Sequence, residues 1–306
     1  MHRDRILKML YSNRELIQRN TREAIEDLHT LKRDYAHVTD EEVLLNFAYN
    51  NSLVEMIFHS DHQRSIDISL QALEQFPETP HYAIVAWHNW LIGHNYAIWG
   101  KHGQAEEHLK KALALVEHDN TFTGLMMKSD CYHILAMNNE LAGLGSNKSM
   151  NYLKLGLDIL PEKKTEVRRA NLLMGMGNIC LNTDKLAEAL EYYHEAALTY
   201  EHHYDLPNMA AAYSNIGTCY IKLNELAQAE TFLQRSLDLR LRFGSPEHIS
   251  ISYYNLAIVY RDKGDYKTAE SLLLKSKEIL KRSGSIPYME MTQTMLQEVQ
   301  ALMNKT

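Results

Sequence analysis

The stretch Tyr213-Ser214-Asn215-Ile216-Gly217-Thr218-Cys219-Tyr220 is followed 40 residues later by Tyr253-Tyr254-Asn255-Leu256-Ala257-Ile258-Val259-Tyr260. In each, a small residue (Gly217, Ala257) follows a large aliphatic one, with further large apolar side chains three or four positions away. That spacing suits a helix whose small side chain lets a second helix cross closely. Working outward, Ile216-Gly217…Tyr220…Ala229…Leu233…Ser236 aligns with Leu256-Ala257…Tyr260…Ala269…Leu273…Ser276. One period upstream it aligns with Met176-Gly177…Cys180…Ala189…Tyr193…Ala196. The same frame fits Ala136-Met137…Leu153…Gly156 and Ile92-Gly93…Tyr96…Ala105…Leu109…Ala112. It fits Leu53…Met56…Ala72 more weakly, and Leu7…Ala24…Leu28…Leu31 only faintly.

Each copy reads as a helical hairpin, and a repeated hairpin buries its apolar face only by stacking on its neighbours. All six prolines (Pro77, Pro80, Pro161, Pro207, Pro246, Pro287) fall between copies, where a residue without an N–H belongs. The expected fold is therefore all-α: a superhelical solenoid of about seven hairpins closed by a last helix. The boundaries expected are 1–44 for a degenerate N-terminal hairpin, 45–285 for the repeats and 286–306 for the capping helix. In the last segment Tyr288, Met289, Met291, Met295, Leu296, Val299, Leu302 and Met303 fall on one apolar arc.

Those positions resemble the tetratricopeptide repeat in residue type and internal spacing, over roughly residues 45–280, with the Gly264-Asp265-Tyr266 turn a further match. The resemblance implies a right-handed superhelix with a concave wall made by the first helix of each pair. A period of 40 looks like the longer repeats of bacterial peptide-sensing regulators of the Rap, PlcR and Rgg group. Such regulators usually carry an N-terminal effector or DNA-binding domain, and none is expected here because the faint hairpin already occupies the first 40 residues.

In the family's geometry the concave positions are Asn171, Asn178 and Asn182, then Ser214, Thr218 and Lys222, then Arg261 and Asp262, with Asn215 and Asn255 bordering the face. Exposed carboxamides donate and accept at once, which suits the backbone of an extended peptide. Their competing reading is that they tie neighbouring helices together. A two-carboxylate clamp is not expected, because Met174, Ile251 and Asn255 stand where its basic residues would be. Trp87, Trp90, His94 and Ile98 share one helix face at i, i+3, i+7 and i+11, an aromatic wall for an apolar ligand side chain or a packing device.

The chain has 306 residues with 45% hydrophobic and 23% charged, a composition that builds a core rather than a disordered chain. A net charge of −7 gives no global basic field, so nucleic acid is not the expected partner. Residues 1–33 are the exception, with eight Arg or Lys (Arg3, Arg5, Lys8, Arg14, Arg19, Arg22, Lys32, Arg33) against five acids. A solvated helix face accounts for that excess, with docking of an acidic partner as the alternative. Cys131, Cys180 and Cys219 read as small buried hydrophobes, which suits a reducing cytoplasm.

The sixteen histidines lack metal-ligand spacing: His59 and His62 straddle a helix end, His202-His203 is a loop dipeptide, and His194-Glu195 is not followed by a second His. No nucleophile elbow, phosphate-binding loop or acidic metal cluster stands out, so neither catalysis nor a cofactor is expected. No signal peptide or membrane span is expected either. These readings converge on a cytoplasmic, non-enzymatic module that holds an extended peptide or partner segment in its groove. Its rival is a scaffold that dimerises through the apolar stripe of the last helix.

Overall fold

The computed structural model describes residues 2–18, 23–283 and 286–304. Among them are fifteen helices and no strand: α1 (His2–Gln18), α2 (Glu23–Asp34), α3 (Glu41–Phe58), α4 (His62–Gln75), α5 (Tyr82–Ile98), α6 (His102–Leu115), α7 (Phe122–Leu141), α8 (Ser146–Asp158), α9 (Glu166–Asn182), α10 (Leu186–His202), α11 (Leu206–Lys222), α12 (Leu226–Phe243), α13 (Pro246–Asp262), α14 (Tyr266–Ser283) and α15 (Ile286–Met303). The all-α hairpin stack read from the period is what the chain forms. It divides into two compact units, Met1–Leu160 and Pro161–Thr306.

The turn inside each hairpin explains the period. In the C-terminal unit the residue after the C-cap of each first helix adopts a left-handed backbone, at Asp184, Asn224 and Gly264, spaced by 40, with φ of 60°, 58° and 80°. Asp, Asn and Gly are the residues that enter this region most readily. The turn closes with a six-residue bond, Lys185 N to Cys180 O, Glu225 N to Tyr220 O and Asp265 N to Tyr260 O, each 2.8–2.9 Å, as in a Schellman stop.

The two helices of each pair then meet at the small-residue position. A Cβ placed on Gly177 would lie 2.6 Å from the ring of Tyr193, and one on Gly217 would lie 2.5 Å from Leu233. In the N-terminal unit a Cβ on Gly93 would lie 2.7 Å from Leu109. Ala105, Ala189, Ala229 and Ala269 are buried where the partner helix faces back. These contacts set the hairpin separation that every copy shares.

The N-terminal unit has a continuous core in which α1 and α2 pack with α3 through Ile6, Leu10, Ile17, Leu28, Val43 and Tyr49. A second cluster joins α5, α6 and α7 through Ile92, Leu109, Met127 and Cys131. Between α3, α4 and α5 lies a polar lattice that periodicity did not reveal. Ser52 Oγ reaches Ser65 and Ser69, and Asn95 Nδ2 donates to Ser65 Oγ at 3.1 Å and Leu91 O at 2.8 Å. His88 bridges Ser69 Oγ and Leu45 O, both at 3.0 Å. A carbonyl can only accept, so Nε2 carries the His88 proton and Nδ1 accepts from Ser69.

The C-terminal unit ends with α15 laid on α13 and α14. Met295, Leu296 and Val299 are buried against Ala257, Ala269 and Leu273, and Thr292 Oγ1 sits 3.3 Å from Ser276 Oγ. The arc read from sequence was too wide: Tyr288 and Met291 are exposed, and Thr292 is buried in line with the packing face. One smaller correction concerns a helix end: His202 is the last residue of α10 with His203 its cap, so the pair is not a loop dipeptide. Arg19 and Arg22 of the basic N-terminal segment lie outside the described residues.

Candidate functional site

In the C-terminal unit, α9, α11 and α13 bring the predicted carboxamides onto adjoining first helices. Asn178 Oδ1 accepts two bonds, from the Tyr193 hydroxyl at 2.7 Å and from Asn215 Nδ2 at 3.0 Å. Burial pushes the Tyr193 phenol far up, so it stays an O–H donor. With its oxygen filled twice, exposed Asn178 keeps its amide donor uncommitted to protein, and Asn215 keeps its oxygen. The pair therefore offers one donor and one acceptor side by side, the complement of a peptide group.

The other predicted positions divide. Asn171 Oδ1 accepts from the Tyr200 hydroxyl at 2.7 Å, tying α9 to α10. Asn182 is exposed at the end of α9. Thr218 Oγ1 bonds back to Ser214 O at 2.9 Å, and Lys222 Nζ lies 3.3 Å from Asp184 and 3.4 Å from Leu181 O. Arg261 is held by Asp262 at 2.8 Å and Glu298 at 3.6 Å, with its Nη1 on Met295 Sδ. Ser214 departs from the expectation of a groove-lining side chain. It is 5% exposed, and its hydroxyl is approached by Asn255 Nδ2 at 3.5 Å, because the first helices of successive pairs close over that position.

In the N-terminal unit, α3 and α5 build a series of rings. Tyr49 and Trp87 lie 6.0 Å apart, Trp87 and Trp90 meet edge to face at 5.8 Å, and Trp90 and His94 are 5.3 Å apart. Both tryptophans also pack on the two cores beneath them, as the packing reading expects. Trp90 Nε1 and His94 Nδ1 have no hydrogen-bond partner among the described residues. Burial lowers His94 to about 4, with His133 and His62 nearby adding to the effect, so its ring is neutral at physiological pH. Burial likewise takes His88 to about 4, opposed by its bond to Leu45 O.

Sequence reasoning missed Arg14, Asn46, Tyr49 and Asn50 in this unit. They stand in the copies that match the period worst, and that departure is the signal that was available.

Among the described residues no group of three or more His, Cys, Asp or Glu could hold a metal ion, and no helix is long and apolar enough to cross a membrane.

The geometry is that of a repeat protein presenting the faces of its first helices. Residues 168–242 and 208–282 match the tetratricopeptide repeat family model, and both units fold as tetratricopeptide-type hairpin stacks. No curated protein matches the sequence. The signal-transduction ATPase with a tetratricopeptide repeat sensor from Pyrococcus horikoshii superposes with a TM-score of 0.70 at 14% identity, over 98% of this chain and 48% of that one. The apo quorum sensor NprR from B. thuringiensis gives 0.61 at 17%, over 97% and 87%. A Rap protein complexed with competence and sporulation factor gives 0.60 at 12%, over 99% of both chains. At these identities the likeness establishes the fold.

Proposed function

We propose that the protein is a non-enzymatic binding module that holds an extended peptide or partner segment against the faces of its first helices. The observation that carries this reading is the Asn178–Asn215 pair, which leaves one amide donor and one amide oxygen together on that face. A peptide group pairs with both at once, and tertiary contacts have already ordered the two side chains, which lowers the entropy cost of binding. The likeness to NprR and to a Rap protein seen with a signalling factor supports peptide sensing in a regulatory role, and a cytoplasmic location would follow from that role.

The apolar stripe of α15, the basis of the scaffold alternative, is largely used inside the chain on α13 and α14. The test is to pair affinity with melting temperature for Asn178→Ala and Asn215→Ala on the full chain, against peptides recovered from a random array. Affinity lost beyond what the change in melting point accounts for supports the reading, whereas affinity that merely follows stability returns both residues to a structural role.

A further inference from the structure

Arg14 on α1 is a half-buried guanidinium with no carboxylate within ion-pair distance among the described residues. Its Nη2 donates to Asn46 Oδ1 at 2.7 Å and its Nε to Asn50 Oδ1 at 3.2 Å, which uses two of its five N–H groups. The faces of Tyr49 and Tyr11 lie 4.4 and 5.2 Å from its central carbon. On α1 and at the start of α3, Asp4, Asp40 and Glu42 all pair with Arg3.

The oxygens that hold Arg14 are themselves locked. Asn46, Asn50 and Asn13 are fully buried. Asn46 Nδ2 donates to Glu42 O, Asn50 Nδ2 to Leu10 O and Asn13 Oδ1, and Asn13 Nδ2 to Ala24 O and Asp27. With every amide nitrogen committed, the carboxamides are oriented and the guanidinium is fixed as a fork. A desolvated cation with only neutral acceptors and ring faces is unfavourable, and an anion with two oxygens relieves that cost with bidentate geometry.

Of the two rings on Arg14, Tyr49 is fully buried and leads inward to half-buried Trp87 and Trp90, whereas Tyr11 is exposed. We propose that Arg14 and Tyr11 form a subsite for a peptide carboxylate, from the C-terminus or an acidic side chain, with the adjacent apolar residue of the ligand lying on the exposed Tyr11 ring. This rests on the peptide-binding reading and gives it a ligand chemistry.

The test uses the full chain on an array of random hexapeptides, each printed with a free and an amidated C-terminus. The expected binders carry a carboxylate beside an aromatic or large aliphatic residue. Loss on amidation identifies the C-terminus as its source, and retention only by Asp- or Glu-containing peptides identifies a side chain. Arg14→Gln, which keeps amide donors toward Asn46 and Asn50, should weaken those binders about tenfold or more without lowering the melting temperature, while Arg14→Lys should lose less. Binders that are indifferent to amidation, to acidic residues and to Arg14→Gln overturn this subsite and leave the peptide-binding reading intact. An array on which the wild-type chain retains nothing overturns both.

Discussion

Asn215 donates to the Asn178 side-chain oxygen at 3.0 Å across 37 residues of sequence, joining the first helices of two successive hairpins. The bond serves stability and leaves binding capacity unused, so the two roles separate by measurement. Asn178→Ala and Asn215→Ala should each weaken a bound peptide by about 1–2 kcal/mol, the cost of leaving a peptide group unpaired. Isothermal titration with an array-selected peptide, run beside thermal melts of the same variants, checks it.

Gly177 lies under the ring of Tyr193, with no room for a Cβ. Both sides of the contact are buried, so the ring has nowhere to move. Gly177→Ala should destabilise the C-terminal unit by about 1–3 kcal/mol despite the better helix propensity of alanine, because overpacking outweighs it. A denaturation midpoint that rises instead would show the hairpin can open there.

Mild acid should destabilise the N-terminal unit. His88 and His94 ionise near 6.5 when unfolded but only at about 4 when folded, so the unfolded state binds more protons between those values. Stability is complete above pH 6.5 and falls progressively toward pH 4, by up to about 3 kcal/mol per histidine. Burial lowers His133 too, in the same sense. Melting curves from pH 7.5 to 4.5 for the wild type and His88→Gln should show a shallower decline in the variant.

Deleting α15 should expose Ala257, Ala269 and Leu273, which Met295, Leu296 and Val299 now cover. Each Å2 of apolar surface returned to water costs about 25 cal/mol, and the bared face invites self-association. Light scattering on the chain ending at residue 283 should show a larger species or aggregation. A monodisperse product with an unchanged melting point would mean that α15 does not cap the stack.

The reach of the sequence varied with the kind of contact. Gly217 and Leu233 were readable because both belong to one hairpin and their separation recurs every 40 residues. Asn178 was legible as a carboxamide on the right face, but its two donors, Tyr193 and Asn215, were not, since one belongs to the second helix and the other to the next pair. Ser214 was misjudged because a small hydroxyl tolerates either environment, and only the neighbouring helices decide which it meets. Arg14 was counted among solvated basic residues because a charge run says nothing of what packs over it.

The sequence by itself determined the helical hairpins and the spacing at which they recur. Those features rest on local propensity and on small residues at fixed spacing, which repetition makes unmistakable. Only the tertiary structure decided which carboxamides are filled, which histidines stay neutral and which cation lacks a counter-charge. Those properties depend on atoms 32 to 37 residues apart reaching within 3.2 Å of one another, a distance that no periodicity encodes.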